Sequence, residues 1–283
     1  MKRSVIRRKA AEPRTAADGD PDPRDGGVQS VDRALLIIET LAEDDEGYRL
    51  SDLAVRTGLS TSTAHRLLAT LERRRFVQFD RFESKWHVGA QSFAVGTTFA
   101  RRRNFVVQAM PYLRKLRDRT RETANLAVVD DESIIVLTRM DSREITRSLT
   151  KVGGRVAMVA SGVGKAVLAT YSDDDVNAII RRRGMPRLTE KSIVRPSDLF
   201  RELQVIRRQG YAVDDEEARI GLLCVAAVVY SNCAEPLAAI SVSGMTSRLT
   251  NDRLPALGNT VREVAAELTA SLGGVAPAAA GGA

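Results

Sequence analysis

The sequence has few of the residues from which metal centres and disulfide frameworks are built. Its 283 residues include two cysteines, Cys224 and Cys233, and two histidines, His65 and His87. The cysteines are nine positions apart and form no C-x-x-C pair, so neither a disulfide framework nor a zinc site is indicated. We therefore predict no metal and no cofactor, and the reducing cytoplasm as the location.

Long apolar runs are also missing. The longest, Leu222–Tyr230, has about half the length of a helix that spans a bilayer. The basic N-terminus lacks the apolar segment of a secretory signal, and no membrane partner is predicted. Residues 1–27 and 275–283 are rich in small and turn-forming residues, which predicts a disordered tail at each end of the chain.

Motifs of common enzyme classes are absent as well. The segment SGVGKA, residues 161–166, is close to a phosphate-binding loop, but such a loop needs glycine where Val159 stands and a hydroxyl residue where Ala166 stands. No G-x-S-x-G nucleophile motif occurs. The acidic run DDEE at 214–217 has no second acidic motif to accompany it and is typical of a charged turn. These observations predict that the protein is not an enzyme.

Residues 51–73 carry the pattern of two short helices joined by a tight turn. Ser51 is a candidate N-cap of the first helix, and Gly58 stands where that helix should end, because glycine accepts a left-handed backbone conformation. Ser60 or Thr61 can cap the second helix. The apolar residues of the second helix recur at helical spacing, and they are Ala64, Leu67, Leu68 and Leu71. This arrangement is typical of a helix-turn-helix motif.

A small β-hairpin is predicted directly after the second helix. Its two strands alternate between apolar and polar residues, the apolar ones being Val77, Phe79, Trp86 and Val88. Arg81 and Lys85 flank the turn between the strands. The two helices and the hairpin together indicate a winged helix-turn-helix domain.

The exposed face of the second helix predicts contact with DNA. Hydrogen-bonding side chains occupy its start, where a helix that enters the major groove meets phosphates and base edges; they are Ser60, Thr61, Ser62, Thr63, His65 and Arg66. Residues 51–85 carry seven basic and four acidic side chains in a chain of net charge +7, and a basic surface favours polyanions. A helical hairpin packed in an ordinary core is the alternative interpretation.

Further helices are predicted on both sides of this motif. The helix before it has an apolar stripe made of Val31, Ala34, Leu35, Ile38, Leu41 and Ala42. Arg33 lies on the polar side of that helix, where it would either contact a phosphate or remain solvated. After the hairpin, residues 105–121 predict a linker helix that Pro111 interrupts or starts.

From Thr123 onward, strands alternate irregularly with helices, which predicts the α+β fold class. The expected strands are NLAVVD, SIIVLTRM, EITRSLT, LLCVAAVVY and PLAAISVSG. SGVGKAVLATY is expected to be a helix entered through glycines. Ser172 and Ser197 are candidate N-caps of two further helices, the second of which should end at Gly210, and residues 253–272 predict a closing helix.

These segments together resemble the IclR family of bacterial transcriptional regulators. The DNA-binding domain of that family is matched by VDRALLIIETLA, LSDLAVRTGLSTSTAHRLLATLERRRFV and KWHVG, and its effector domain by SGVGKAVLA, RRQGYAVDDEEARIGLLCVAAVV and LAAISVSG. The resemblance implies a winged helix-turn-helix domain at 28–90, a linker helix at 91–122 and a GAF-like effector-binding domain at 123–274.

The resemblance also implies partners and a ligand site. The partners would be a double-stranded DNA operator, a small organic effector and further copies of the chain, as a homodimer or a dimer of dimers. Carried over to this sequence, the effector site would comprise Ile145, Val156, Gly162, Val163, Asp214, Cys224, Ser241 and Ser243. Ile145 and Val156 would be its apolar walls.

Two of these features suit an anionic effector. Gly162 and Gly164 would leave helix N–H groups open to an anion, and Ser241 and Ser243, two apart on a strand, would face the same side. Structural roles are the alternatives: Cys224 as ordinary packing, the two serines as the tolerant face of an edge strand, and Asp214 as a turn cap.

The sequence thus predicts a ligand-responsive regulator of a catabolic or metabolic operon that senses a small carboxylate or aromatic compound. Two other functions are left open, a small-molecule enzyme with an accessory helical domain and a ligand-binding scaffold for protein partners. DNA binding with a steep salt dependence would distinguish the regulator from both.

Overall fold

The structure is a computed structural model that describes residues 27–102, 105–142 and 151–277, and it divides into two units between Phe99 and Ala100. Most of the two predicted tails lies outside these residues, and so do Ile145 and the strand predicted at 144–150. Within the described ranges, no helix combines the length and the apolar character that crossing a membrane requires.

The N-terminal unit is a winged helix-turn-helix domain, as predicted. Its elements are α1 (Gln29–Ala42), α2 (Leu50–Thr57), α3 (Thr61–Arg73), β1 (Val77–Asp80) and β2 (Lys85–Val88). The two strands are antiparallel and pair Val77 with Val88. The core lies between the helices and the hairpin and consists of Ile37, Leu41, Tyr48, Leu53, Leu68, Val77 and Trp86.

The turn between α2 and α3 is formed by the residues expected from the sequence. Gly58 has a φ of 66° and lies in the left-handed region, and Ser60 is the N-cap of α3, with its hydroxyl accepting the Thr63 N–H at 3.2 Å. The predicted cap at Ser51 is wrong, because α2 begins one residue earlier, at Leu50, with Arg49 as its N-cap.

The buried face of α1 is rotated from the predicted one. Ile37, Thr40 and Leu41 are buried, whereas Val31 and Leu35 are about half exposed. Thr40 can occupy the buried side because its hydroxyl donates to the Leu36 carbonyl at 2.8 Å and is therefore not left unsatisfied. The apolar stripe read from the sequence therefore faces partly outward.

The segment predicted as one linker helix contains two helices, α4 (Ala90–Arg102) and α5 (Phe105–Thr120). Pro111 neither starts nor interrupts a helix but lies inside α5. Phe105, Ala109, Leu113 and Leu116 of α5 belong to the core of the C-terminal unit. That helix is therefore part of the C-terminal fold, and its burial outweighs the lost hydrogen bond at the proline.

The C-terminal unit is built on a six-stranded antiparallel sheet in the order β5-β4-β3-β8-β7-β6. The strands are β3 (Thr123–Asp130), β4 (Ser133–Met140), β5 (Arg155–Ala157), β6 (Ala212–Asp215), β7 (Leu222–Tyr230) and β8 (Pro236–Met245). This architecture confirms the predicted α+β class.

Helices cover both faces of this sheet. Side chains of α5 and α9 (Leu254–Ser271) share one apolar core with one face. Side chains of α6 (Gly162–Leu168), α7 (Asp173–Arg183) and α8 (Pro196–Gln209) share the other core with the opposite face. Because neighbouring residues of a strand point to opposite faces, β7 and β8 contribute alternate residues to the two cores.

The end residues predicted for α7 and α8 are confirmed only in part. Ser172 caps α7 as predicted, accepting the Asp175 N–H at 3.2 Å, and Gly210 ends α8 with a φ of 78°. Ser197, however, does not cap α8. That helix begins at Pro196, whose fixed φ suits the first helical turn, and Arg195 is its N-cap.

Candidate functional site

The first turn of α3 presents hydrogen-bonding side chains on the surface of the N-terminal unit. Ala64 and Leu68 are buried, which orients Thr61, Ser62, His65 and Arg66 toward solvent. Thr63 is half-buried and Ser60 is exposed. The surface of α3 therefore offers hydroxyl, imidazole and guanidinium groups at the end of the helix that winged helix-turn-helix proteins present to DNA.

A small hydroxyl network fixes this turn. The Ser60 hydroxyl donates to Thr63 Oγ1 at 2.9 Å and lies 3.1 Å from the Ser62 hydroxyl. The Ser60 hydroxyl is thereby engaged in capping α3 and in a hydrogen bond to the Thr63 side chain. Thr61 and Ser62 are the hydroxyl residues placed to face a groove, while Ser60 and Thr63 shape the turn that carries them.

The hairpin turn has its own internal support. Asp80 Oδ1 accepts the N–H groups of Phe82 at 2.7 Å and Glu83 at 3.1 Å, and these bonds lower the pKa of Asp80 below its ordinary value. Arg81 is exposed beside the turn, and Lys85 forms an ion pair with Glu83 at 3.2 Å. Phe82, which sequence reasoning did not select, is fully exposed at the tip.

Arg33 is half-buried on α1. This position is compatible both with a contact to a phosphate and with a solvated side chain. Its role stays a prediction, as do those of the α3 and hairpin residues named above.

In the C-terminal unit, polar side chains interrupt one otherwise apolar face of the sheet. Strand pairing aligns Thr123, Ser243, Cys224 and Asp214 in one row across β3, β8, β7 and β6. The neighbouring row pairs Asn125 with Ser241. We call these six residues the polar patch. All six are buried. On the same face, Ala226 lies beside Ser241 in the second row, and the row beyond contains Ala127, Ala239 and Val228.

Asn125 connects the two serines and was not recognised from the sequence. Its Nδ2 donates to the Ser241 hydroxyl oxygen at 3.3 Å and to the Ser243 hydroxyl oxygen at 3.2 Å. Each serine thus accepts from Asn125 and retains its own O–H for donation to a third group. The sequence feature that could have revealed its role is an asparagine within an otherwise apolar strand, because a buried amide must be hydrogen-bonded.

Cys224 lies between the polar patch and the start of α6. Burial raises the pKa of its thiol to about 11, although the hydroxyls of Ser243 and Ser241 hydrogen-bond to it. The thiol is therefore protonated at neutral pH. A Cβ at Gly162 would lie 3.3 Å from the Cys224 sulfur, so Gly162 allows a close approach of α6 to β7.

The predicted opening of helix N–H groups at Gly164 is wrong. The Ser161 hydroxyl accepts the Gly164 N–H at 3.1 Å, so that donor is already used. A Cβ at Gly164 would lie 2.1 Å from the Met158 carbonyl oxygen. The glycine is thus required by packing. Val163 is buried, and Val156 is half-buried against the same core.

Asp214 supports the turn that follows β6. Its Oδ1 accepts the N–H groups of Glu217 at 2.8 Å and Ala218 at 3.3 Å. Burial nevertheless raises the pKa of Asp214 to about 6. Asp214 therefore does cap this turn, which is the structural role considered for it as an alternative to ligand contact.

The acidic run 214–217 has an inward and an outward side. Asp215 and Glu216 form exposed ion pairs with Lys191. Glu217 turns inward and is ion-paired with Lys165, which is fully buried and also lies 3.3 Å from Glu202.

This ion pair leaves one Glu217 oxygen without a donor. Burial raises the pKa of Glu217 to about 7 against the opposing effect of Lys165. Among the described residues, none donates a hydrogen bond to Glu217 Oε2. The polar patch therefore lies beside a buried charged cluster that the sequence did not reveal.

The chain matches two family models along most of its length. One, described as the IclR helix-turn-helix domain, matches residues 30–81, and the other, described as the C-terminal part of bacterial transcriptional regulator IclR, matches residues 97–270. The acetate operon repressor of Salmonella typhimurium is 40% identical to this chain over 254 residues, which cover 89% of the chain and 93% of that protein.

Solved structures share the fold. An IclR transcriptional regulator from Alicyclobacillus acidocaldarius superposes with a TM-score of 0.73 at 25% identity, covering 87% of this chain and 100% of that one. An IclR homologue from Microbacterium hydrocarbonoxydans, solved with 4-hydroxybenzoate, superposes with a TM-score of 0.70 at 23% identity, covering 86% and 98%.

Proposed function

Because the chain belongs to the IclR family of bacterial transcriptional regulators and is a DNA-binding regulator of transcription, we propose that it represses its target genes and that a small organic anion bound at the polar patch controls it. The observation that carries the ligand proposal is the polar patch itself. Six buried polar or sulfur-containing side chains converge on a face that otherwise forms an apolar core.

The chemistry of the polar patch favours a carboxylate. The Ser241 and Ser243 hydroxyls remain donors because Asn125 occupies their acceptor side. Hydrogen bonds from such donors to an ionised carboxylate are stronger than those to the neutral Cys224 thiol. The IclR homologue solved with the carboxylate 4-hydroxybenzoate and the acetate operon repressor are consistent with this ligand class.

Because the polar patch is buried, binding of a ligand there is coupled to a conformational change of the C-terminal unit. All six side chains are nearly inaccessible, so a ligand reaches them only when the segments that cover them move. A ligand changes DNA affinity only if it binds the DNA-competent and incompetent conformations differently. We propose that the movement which admits the ligand also distinguishes these two conformations, so that the ligand binds one of them more tightly.

For DNA, we propose that α3 lies in the major groove, with Thr61, Ser62, His65 and Arg66 at base edges. The exposure of these residues supports this placement. Arg33, Arg81 and Lys85 would contact phosphates, which fix position without reading sequence. The exposed aromatic ring of Phe82, at the hairpin tip, is available for contact with the adjacent minor groove.

A second copy of the chain completes the proposed repressor. Four apolar residues are at least half exposed in the single chain: Val28, the N-cap of α1, Val31 and Leu35 on α1, and Phe93 on α4. Such exposure favours burial against another protein surface. Two copies related by a two-fold axis would place their α3 helices on half-sites about one helical turn apart, or a multiple of that.

The DNA proposal is tested by fluorescence anisotropy with DNA from upstream of the protein's own gene, at two salt concentrations. We expect tight binding that weakens steeply with salt. Arg66→Ala should lose specific binding, whereas Arg201→Ala, which changes an exposed arginine of α8, should not. Equal binding of the upstream DNA and of unrelated DNA by the wild type, or specific binding that Arg66→Ala retains in full, would refute this placement of α3.

The ligand proposal is tested by thermal shift with acetate, lactate, succinate and 4-hydroxybenzoate, each beside its amide. A compound that binds the folded state raises the apparent melting temperature. We expect at least one carboxylate, and not its amide, to stabilise the protein and to change operator affinity. Stabilisation by that carboxylate should be lost in a Ser241→Ala, Ser243→Ala double variant. Full retention would place the ligand elsewhere.

A further inference from the structure

Glu217 brings a buried oxygen that lacks a hydrogen-bond donor close to the polar patch. Its backbone N–H donates to Oδ1 of Asp214, a member of the polar patch, at 2.8 Å. Its side chain is 8% exposed, and Oε1 accepts from the Lys165 ammonium group. Among the described residues, none donates to Oε2. Because a buried acceptor without a donor costs free energy, a donor that reached Oε2 would be bound favourably.

The Glu217 carboxylate lies next to the polar patch along one face of α6. Gly162 and Lys165 are three residues apart on this helix, so they share a face and are separated by about 4.5 Å along the axis. A Cβ at Gly162 would lie 3.3 Å from the Cys224 sulfur, whereas Lys165 reaches Glu217. The polar patch at Cys224 and the Glu217 carboxylate are therefore neighbours along this face of the helix.

The titration of these groups supports the same arrangement. Burial raises the pKa of Asp214, Glu217 and Cys224, and a nearby positive charge opposes that rise in each case. This charge is the ammonium group of Lys165, so all three groups lie near it.

Carboxylates outnumber the ammonium group in this cluster. Lys165 is paired with Glu217, and its Nζ also lies 3.3 Å from Glu202 Oε1. After burial, the charges of Asp214 and Glu202 contribute to raising the pKa of Glu217 to about 7. This end of the site therefore attracts hydrogen-bond donors and disfavours a further carboxylate.

We propose that the ligand of the polar patch carries, besides its carboxylate, a hydroxyl or ammonium group that donates a hydrogen bond to Glu217 Oε2. This inference rests on the proposed binding of a carboxylate at the polar patch, and it narrows the ligand class to hydroxycarboxylates and aminocarboxylates. The Ser241 and Ser243 hydroxyls donate to the carboxylate, and Glu217 accepts from the second group. Because one end of the site donates and the other accepts, a ligand with both groups binds in a single orientation.

The inference is tested by isothermal titration of the full-length protein with matched pairs of compounds. The pairs are lactate and propionate, alanine and propionate, 3-hydroxybutyrate and butyrate, and 4-hydroxybenzoate and benzoate. We expect the donor-bearing member of at least one pair to bind at least tenfold more tightly than its partner, because a site built to accept a hydrogen bond rejects an analogue that lacks the donor. A preference for alanine identifies an ammonium group, and a preference in the other pairs identifies a hydroxyl.

Glu217→Gln should reduce this affinity ratio to less than about threefold, because the amide keeps an oxygen for Lys165 and places an NH2 group where Oε2 stands. Glu202→Gln is the matched control. It removes a carboxylate charge beside the same lysine and leaves Glu217 Oε2 in place, so the ratio should persist. Circular dichroism shows whether both variants are folded. A purely structural role of Glu217 would not change the ratio between two members of a pair.

A measurement on the wild type keeps the test decisive if Glu217→Gln does not fold. A hydrogen bond to Oε2 stabilises the ionised carboxylate and lowers its pKa. At pH 7, binding of the preferred hydroxycarboxylate should therefore release protons relative to its unsubstituted partner. Titrations in two buffers of different ionisation enthalpy measure this difference. The charged groups that face Glu217 are Lys165, Glu202 and Asp214, and they are the same for both compounds.

The possible results separate this inference from the proposal on which it rests. Equal affinities within every pair, an unchanged ratio in a folded Glu217→Gln variant, or equal proton release by both members would overturn the role of Glu217 and leave a carboxylate at the polar patch. Binding of none of these compounds at millimolar concentration would overturn both proposals.

Discussion

Lys165 and Glu217 form a buried ion pair between α6 and the turn that follows β6. The Lys165 side chain is 1% exposed and the Glu217 side chain 8% exposed. Breaking such a pair leaves an uncompensated charge away from water, which typically costs about 3–5 kcal/mol of stability. We therefore expect Lys165→Met to lower the free energy of unfolding by about 3 kcal/mol or more, measured by urea denaturation.

The matched control lies on the outer side of the same turn. Lys191→Met removes an ion pair whose lysine is about half exposed, and we expect it to cost less than about 1 kcal/mol. A Lys165→Met, Glu217→Gln double variant should recover part of the loss. Similar losses for the two lysine variants would show that Lys165 does not stabilise the fold through its buried charge.

The stability of the C-terminal unit should fall as pH rises from about 4 to about 7. Burial raises the pKa of Asp214 from 3.8 to about 6 and that of Glu217 from 4.5 to about 7. In this interval the folded state binds more protons than the unfolded state, so the free energy of unfolding decreases with pH. Each pKa unit corresponds to about 1.4 kcal/mol.

Asp214→Asn tests this dependence. The amide keeps an oxygen that can accept the Glu217 and Ala218 N–H groups, and it removes the titration. We expect a smaller loss of stability between pH 5 and pH 7.5 than in the wild type, measured by urea denaturation at each pH. Asp198→Asn, which changes an exposed aspartate whose pKa is lowered by Arg201, should leave the loss unchanged. Equal slopes in the wild type and Asp214→Asn would contradict the prediction.

Asn125→Asp should weaken the preference of the polar patch for a carboxylate over its amide. A carboxylate at this position accepts from the Ser241 and Ser243 hydroxyls, so those hydroxyls no longer donate to a ligand, and it adds negative charge. We expect at least tenfold weaker binding of the stabilising carboxylate and a smaller change for its amide, measured by titration calorimetry. Asn125→Ala should lie between the wild type and Asn125→Asp. Equal affinities for all three would exclude Asn125 as the residue that orients the serines.

Gly164→Ala and Gly96→Ala should change stability in opposite directions. A Cβ at Gly164 would lie 2.1 Å from the Met158 carbonyl oxygen, whereas a Cβ at Gly96 in α4 would meet no atom of the described residues within 4 Å. Overpacking of this kind costs about 1–3 kcal/mol, and alanine replaces glycine in a helix interior with a gain of about 0.5–1 kcal/mol. Thermal unfolding of the two variants provides the comparison. A stabilised Gly164→Ala variant would refute the close packing of α6 on the preceding segment.

The sequence by itself determined the local structure of the N-terminal unit and its fold class. The turn between α2 and α3 is specified by Gly58, by Ser60 and by the apolar spacing of α3. Backbone preference and helical periodicity act over only a few residues, so they can be read from the sequence. The same is true of the alternating hairpin strands and of Ser172. Ser51 and Ser197 were misassigned because several neighbouring residues can start a helix, and packing selects among them.

Only the tertiary structure decided which side chains meet across the C-terminal sheet. Asn125 joins Ser241 and Ser243 from 116 and 118 positions away, and Glu217 reaches Lys165 across 52. Strand order and register bring these groups together, and neither is encoded in local spacing. Burial then raises the pKa of Asp214, Glu217 and Cys224, because desolvation depends on the whole fold that encloses them.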